Sequence, residues 1–144
     1  MPSLELKTNV KIADPKAFAL EFAEFGAKVL GKPLEYISTS YQYNETLNFA
    51  GSFEPVFMLT IVRLIPYPFS CSDRIADESS DGCAQVSLGN LNPTANEEYS
   101  KQFFPFFKEK LGVPHDRAYI TYLDPGNSNL GYQSTHFGTI FGKN

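Results

Sequence analysis

Residues 4–10, LELKTNV, begin the pattern that decides the fold. Apolar and polar side chains alternate along them, which is the period of a half-buried β-strand. Asp14 and Pro15 follow as a helix N-cap and a first-turn proline, and Gly31 stands where a helix commonly ends. The residues between them that share one helical face are Phe18, Phe22, Phe25 and Val29. Because residues 36–41, YISTSY, then favour a strand, the first third predicts a β-α-β unit with parallel strands.

The same order of elements returns in the second half of the chain. Residues 56–62, VFMLTIV, are a near-continuous apolar run that is typical of a strand buried on both faces. A helix is predicted from about Asn96 to Leu111, residues 118–123 form its partner strand, and residues 131–141 supply short closing strands. We therefore expect an α/β domain of the α+β kind, with a duplicated β-α-β unit and a four-stranded sheet that carries two helices on one face. The other face is left uncovered, which favours oligomerisation.

Composition excludes several classes of protein. The chain has 144 residues, the length of one domain, and a net charge of −4 from 16 acidic and 12 basic residues. An acidic balance argues against a dedicated nucleic-acid binder, which needs a clustered basic face. No apolar stretch approaches the ~20 residues of a membrane-spanning helix. The first seven residues lack the basic and apolar regions of a secretory signal, so we expect a cytoplasmic protein, or one exported without a signal peptide.

Residues 63–86 break the pattern of strands and helices. They contain both cysteines, Cys71 and Cys83, and they show neither a helical nor a strand period. As a structureless loop they exceed the ~12–15 residues that compact domains normally tolerate. Two explanations stay open, a genuine surface loop that acts as a lid and a retained intron. Counted as residues 62–85, the segment would begin on a valine codon, GTN, and could end on the glutamine codon CAG, which are the boundary signals of a spliceosomal intron.

Five strings outside that segment go beyond composition. They are MP at 1–2 leading to TNV at 8–10, GKPLEYI at 31–37, GSFEP at 51–55, DRAYITY at 116–122 and STHF at 134–137. In this order the strings resemble the macrophage migration inhibitory factor and D-dopachrome tautomerase family, over the whole chain except residues 63–86. The resemblance implies a tautomerase-superfamily homotrimer of β-α-β-β-α-β subunits. It also implies an isomerase, a cofactor-free keto–enol tautomerase that acts on an aromatic α-keto acid or enol such as phenylpyruvate or dopachrome.

The same resemblance implies two catalytic residues. Family members use the N-terminal proline as general base, so Pro2 takes this role once Met1 has been removed. An α-amino group titrates at about 7.7–8.0, and burial among apolar side chains would lower its pKa. Such a base can move a proton on the carbon beside a carbonyl. Lys32 matches the family lysine that binds the substrate carboxylate and stabilises the enolate; without the resemblance it is a solvated cation near a helix C-terminus.

Further positions match the substrate pocket of the family. They are Tyr36, Tyr119, Thr121, Tyr132 and Phe137. The resemblance implies that Tyr119 comes from a neighbouring subunit. Thr121 stands where the cytokine branch often has asparagine, and Tyr132 where it often has tryptophan, so the substrate preference stays open. If residues 63–86 are a real loop, Leu64 and Leu88 compete for the strand-end position whose backbone N–H binds substrate. Ordinary core packing is the alternative for the aromatic positions.

Two other functions stay open. The chain could be a cytokine-like signalling or binding protein in which catalysis is incidental, or an inactive variant caused by residues 63–86. No cofactor is expected, and no metal site, because His115 and His136 lack ligand spacing with Cys, Asp or Glu. The expected partners are therefore a small keto acid or enol and two further copies of the chain, without nucleic acid or membrane.

Overall fold

A computed structural model describes residues 2–62, 91–126, 129–132, 134–136 and 139 of the chain. The segment 63–86 lies outside these residues, so both explanations of it stay predictions. The described elements follow in one list: β1 Ser3–Thr8, α1 Pro15–Leu30, a 3-10 turn Leu34–Tyr36, β2 Ser38–Tyr43, β3 Phe57–Val62, α2 Pro93–Leu111, β4 Ala118–Leu123, β5 Gly131–Tyr132 and β6 Thr135–His136. Neither described helix is long and apolar enough to cross a bilayer.

Four of the strands form one mixed sheet in the order β2-β1-β3-β4. The pairs β1–β2 and β3–β4 are parallel, and the central pair β1–β3 is antiparallel. This topology confirms the duplicated β-α-β unit, because the described part of each connection between parallel strands contains a helix. The expected short closing strands are β5 and β6, which pair antiparallel with each other.

The helices begin and end at residues that satisfy their terminal backbone groups. The Asp14 carboxylate accepts a hydrogen bond from the Ala17 N–H at 3.1 Å, and Gly31 closes α1 in the left-handed conformation at φ 63°. Helix α2 begins at Pro93, three residues earlier than Asn96, where the sequence predicts it. The reason is the Asn92 side chain, which accepts from the Ala95 N–H at 2.9 Å and so caps the helix ahead of the proline.

The start of β2 also differs from the prediction. Tyr36 belongs to a 3-10 turn, and the strand runs from Ser38 to Tyr43 instead of over residues 36–41. Pro33 precedes the turn, and its carbonyl accepts a hydrogen bond from the Tyr36 N–H at 3.0 Å. A proline has a fixed φ that suits the start of a helical turn, so it outweighs the strand preference of the aromatic and β-branched residues that follow.

Phenyl rings fill the space between the sheet and the two helices. The fully or nearly buried phenylalanines are Phe18, Phe22, Phe57, Phe103, Phe106 and Phe107. Phe57 of β3 lies 4.4 Å from Phe107 of α2, between ring centroids, and Phe25 of α1 stacks on Phe106 at 4.1 Å. Leu4 of β1 packs against Gly26 of α1, on the same side of the sheet as Phe57. Both helices therefore cover one face, as predicted.

The opposite face of the sheet carries a different set of side chains. Glu5 and Lys7 of β1 are exposed there. On β3 and β4 most of the exposed side chains are apolar or aromatic: Met58 is 36 %, Tyr119 60 % and Leu123 49 % exposed, and Thr121 is a polar exception. The sequence predicts an uncovered face of this kind, and such a face favours packing against further copies of the chain.

Tyr122 joins β4 to α2 through its hydroxyl group. The hydroxyl donates to the Asn96 carbonyl at 2.9 Å and shares a 2.8 Å hydrogen bond with the Ser100 hydroxyl. Burial raises the pKa of Tyr122 above its usual value, because the ionised phenolate would lose its solvation; the Ser100 hydrogen bond opposes this effect.

We predict that Tyr122→Phe lowers the free energy of unfolding by about 1 kcal/mol at pH 7, the net worth of a typical hydrogen bond. The raised pKa also predicts that the wild type loses stability as pH rises above about 10, since only the unfolded state ionises readily there. Urea unfolding at pH 7, 9 and 11 measures both effects, with the exposed Tyr43→Phe as the matched control. Parallel pH profiles for wild type and Tyr122→Phe would contradict the assignment.

Candidate active site

One end of the sheet collects the starts of β1 and β2 and the ends of β3 and β4. Ser3 lies opposite Ser38 on one side and Val62 on the other, and Val62 lies opposite Leu123. Pro2 immediately precedes this row of residues. It is buried, and its carbonyl accepts a hydrogen bond from the Ser38 N–H at 3.1 Å. We call this edge of the sheet the Pro2 end.

Lys32 and Tyr36 lie in the connection that returns the chain from α1 to the Pro2 end. The Lys32 N–H donates to the Ala27 carbonyl at 3.0 Å, which extends the C-terminal cap of the helix, and the lysine is half-buried. Tyr36 is 37 % exposed and lies two residues before Ser38, the first residue of β2. The parallel β-α-β unit therefore brings a buried proline, a cation and an aromatic ring to the same end of the sheet.

Tyr119 and Thr121 lie elsewhere in the same chain. Tyr119 is in register with Met58, and Met58 with Lys7, so Tyr119 is about 17 Å along the strands from Pro2 at ~3.3 Å per residue. Tyr119 and Thr121 also point to the uncovered face, whereas Pro2 has the same alternation as Leu4, which faces the helices. Within one subunit these side chains cannot meet, so a pocket that contains both Pro2 and Tyr119 requires a second copy.

The far end of the sheet holds a loop that is bound by side chains next to β1 and β4, the two strands on either side of β3. Asn9, just after β1, donates through Nδ2 to the carbonyls of Leu47, Phe53 and Glu54 at 3.0–3.2 Å, and its Oδ1 accepts from the Val56 N–H at 3.0 Å. The Nδ2 group has two hydrogens for three carbonyls, so one N–H is shared between two acceptors, and the asparagine amide contacts four backbone groups of the loop.

Arg117, just before β4, binds the same loop from the other side. Residues 49–55, here called the 49–55 turn, supply four carbonyl acceptors to its guanidinium group. The guanidinium carbon also lies 5.7 Å from the centroid of the Phe49 ring, and that ring lies 5.2 Å from the ring of Tyr119. Phe49 therefore lies between Arg117 and Tyr119, a residue that the sequence places in the pocket.

Nothing in the sequence assigns a role to Asn9, Phe49 or Arg117. Asn9 and Arg117 occur inside strings that carry the family resemblance, but their hydrogen-bond partners lie 38 to 68 residues away. From the sequence alone, an asparagine after one strand and an arginine before another indicate only that polar side chains lie near an edge of the sheet. Which carbonyls they bind depends on the sheet order.

The comparisons with known proteins decide the family. The family model for macrophage migration inhibitory factor (MIF) matches residues 1–65 and 72–138. The chain belongs to the MIF family. A curated relative, the MIF homolog of Trichinella spiralis, is 25 % identical over 138 residues and covers 95 % of this chain and 100 % of its own length. MIF of Rattus norvegicus is 25 % identical over the same number of residues and covers 99 % of its own length.

Solved structures of MIF proteins show the same fold. The Trichinella spiralis protein superposes with a TM-score of 0.70 at 24 % identity, covering 94 % of this chain and 99 % of the other. The MIF of Oncomelania hupensis gives a TM-score of 0.72 at 19 % identity and covers 98 % of this chain and 85 % of the other. Between its two matched ranges the MIF family model leaves residues 66–71 unmatched, inside the segment that the sequence predicts to be inserted.

The remaining residues predicted for the MIF-like pocket are not all described. Leu64, Leu88 and Phe137 lie outside the described residues, and Tyr132 is described only as backbone in β5. Their roles stay predictions. In the described part of the chain no three His, Cys, Asp or Glu side chains come close enough together to hold a metal ion.

Proposed function

We propose that this MIF-family protein is a cofactor-free keto–enol tautomerase in which Pro2, freed by removal of Met1, is the general base. The observation that supports the proposal is the burial of Pro2 at the same sheet end as Lys32 and Tyr36. A base, a cation and an aromatic surface are the groups that this reaction needs around a small α-keto acid.

The proposed reaction is two proton transfers without a change in oxidation state. In one direction the neutral secondary amine of Pro2 removes a proton from the carbon beside the keto group, and the C–H electron pair moves into the enolate. Protonation of the enolate oxygen then gives the enol. Ketonisation is the reverse. Burial of Pro2 disfavours its protonated form, which keeps the amine available as a base near neutral pH.

Lys32 supplies the charge that this chemistry requires. A carboxylate on the substrate and the negative oxygen of the enolate both gain from a nearby ammonium group, and the gain at the enolate oxygen exists only as charge develops there. Tyr36, on the same connection, offers an apolar ring surface for an aromatic substrate.

Tyr119 and Thr121 of a neighbouring subunit would complete the proposed pocket. In this chain both side chains are exposed on the uncovered sheet face, where a second copy can pack. A threonine hydroxyl can donate a hydrogen bond, as an asparagine amide does, but it reaches less far. We therefore propose that the substrate range differs from that of the cytokine branch.

A cytokine-like binding role and an inactive variant are the alternatives to catalysis. The binding role predicts a folded chain whose turnover, if any, does not depend on Pro2, whereas the inactive variant predicts a poorly folding chain without turnover. The experiments below separate them from the tautomerase.

The first prediction concerns the base itself. Mass spectrometry should show that the purified protein has lost Met1, and Pro2→Gly should lower kcat/KM for phenylpyruvate ketonisation by about 10²-fold or more, the usual contribution of a positioned base. Glycine leaves a primary amine that is less basic and less rigidly held. Circular dichroism on both proteins controls for folding. Retention of Met1, or equal rates in the two proteins, would exclude Pro2 as the base.

The second prediction concerns the cation. Lys32→Met should raise KM for phenylpyruvate about tenfold, since a hydrogen bond to a charged group contributes about 1.5–3 kcal/mol. Lys28→Met is the matched control, because Lys28 is an exposed lysine in the last turn of the same helix. We expect its KM to stay within about twofold of wild type. Equal effects of the two substitutions would show that only general charge matters.

The third prediction concerns the shared pocket. Pro2→Gly and Tyr119→Ala chains should each be weakly active alone, yet a co-refolded equal mixture should regain activity. In a ring of subunits with heterologous contacts, about one site in four then pairs an intact Pro2 with an intact Tyr119. Light scattering verifies that the mixture is trimeric. A mixture no more active than the mean of its two components would contradict a pocket built between copies.

A further inference from the structure

We propose that Arg117 is a positioning residue that fixes the ring of Tyr119 through the 49–55 turn and the ring of Phe49. The proposal rests on the proposed function, in which Tyr119 lines the substrate pocket. Arg117 itself touches no reacting atom in the proposed reaction. It acts on Tyr119 only through Phe49.

The hydrogen bonds of Arg117 hold the turn at several points. Nε donates to the Pro55 carbonyl at 3.1 Å, and Nη2 donates to the carbonyls of Ser52 and Glu54, each at 3.1 Å. Nη1 makes a longer bond of 3.5 Å to the carbonyl of Phe49. The guanidinium group is a rigid planar fork with five donors, so several acceptors bound at once restrict the turn more than a single ammonium could.

The folded 49–55 turn places the ring of Phe49 next to both Arg117 and Tyr119. Phe49 and Ser52 exchange backbone N–H to carbonyl hydrogen bonds at 3.0 Å in both directions. Between them Ala50 and Gly51 have positive φ angles of 53° and 74°, the conformation of a tight hairpin turn. Such a turn leaves the Phe49 backbone little freedom, so the position of its ring follows from the position of the turn.

A fixed neighbour would restrict the motion of the exposed Tyr119 side chain. Its side chain is more than half exposed on the uncovered face, and its described ring contact is with Phe49 at 5.2 Å and an interplanar angle of 44°. Phe49 in turn lies under the Arg117 guanidinium, a favourable cation–π placement. A tyrosine already ordered before substrate arrives does not have to lose rotamer freedom on binding. Arg117 should therefore affect substrate affinity more than the proton-transfer step.

Kinetics provide the first test. Arg117→Met and Phe49→Ala should each raise KM for phenylpyruvate about threefold to tenfold with kcat within about twofold, the change expected when one side chain must be ordered on binding. Because both act by one route, the double variant should be no worse than the poorer single variant. Arg117→Lys should lie between wild type and Arg117→Met. A fall in kcat at constant KM, or additive effects of the two substitutions, would overturn the proposal.

Lys110→Met is the matched control for loss of a cation. Lys110 pairs with Glu21 between the two helices, and its ion pair does not involve the 49–55 turn, so KM and kcat should stay within about twofold of wild type. An equal rise in KM for Lys110→Met and Arg117→Met would assign the effect to net charge and overturn the positioning role.

Fluorescence provides a second test that does not depend on activity. The chain contains no tryptophan, so Tyr119→Trp introduces a single reporter at the position in question. In this background Arg117→Met should lower the fluorescence anisotropy and increase quenching by acrylamide, whereas Lys110→Met should change neither. Circular dichroism confirms that each variant is folded at the temperature of measurement.

The two readouts distinguish the ways in which the ideas can fail. If Pro2→Gly leaves turnover unchanged, the tautomerase proposal fails, while the fluorescence still reports whether Arg117 orders position 119. If turnover depends on Pro2 but Arg117→Met alters neither anisotropy nor quenching, the tautomerase stands and the positioning role of Arg117 is wrong.

Discussion

The register of β1 is the constraint on which the rest of the structure depends. β1 is a central strand, and Leu4 and Leu6 must face the phenyl rings of both helices to remain buried. A slip of one residue would turn Glu5 and Lys7 into that apolar core and would expose both leucines. The register that avoids this places Ser3 beside Ser38 and Val62. Packing of the hydrophobic core thus sets the position of the adjacent Pro2.

That same register separates the parts of the proposed site. Alternation along a strand sends neighbouring side chains to opposite faces, so a sheet with one covered face directs half of its side chains outward. Tyr119 and Thr121 belong to the outward half and Pro2 follows the inward half. A subunit with this topology can therefore bring them together only by packing its uncovered face against another copy. Packing against another copy would therefore both cover the apolar face and complete the proposed pocket.

Local signals in the sequence predict the elements well, and long-range contacts limit the rest. A capping residue followed by proline marks the start of both helices, as Asp14-Pro15 before α1 and as Asn92-Pro93 before α2. The prediction used this signal only for α1, and it therefore placed the start of α2 three residues late. Pro33 likewise determines locally that Tyr36 belongs to a turn. Pro2, Lys32 and Tyr36 could be assigned to one sheet end because a β-α-β unit joins parallel strands, whose starts lie at the same end of the sheet. The contacts of Arg117 could not be assigned: the parallel β3–β4 pair brings residues 49–55 near it, but the sequence does not show that their carbonyls turn toward its guanidinium group.

The framework around the proposed site is held by residues on both sides of the segment 63–86, whatever the origin of that segment. Val62 is paired with Ser3 and Leu123 at the end of β3, and α2 is anchored by phenylalanines that contact α1 and Phe57. Each of these contacts joins residues outside the segment. The contacts that set the register beside Pro2 are therefore the same under either explanation of the segment. The sheet, the phenyl core and the Pro2 end are thus joined to one another by contacts among residues outside the segment.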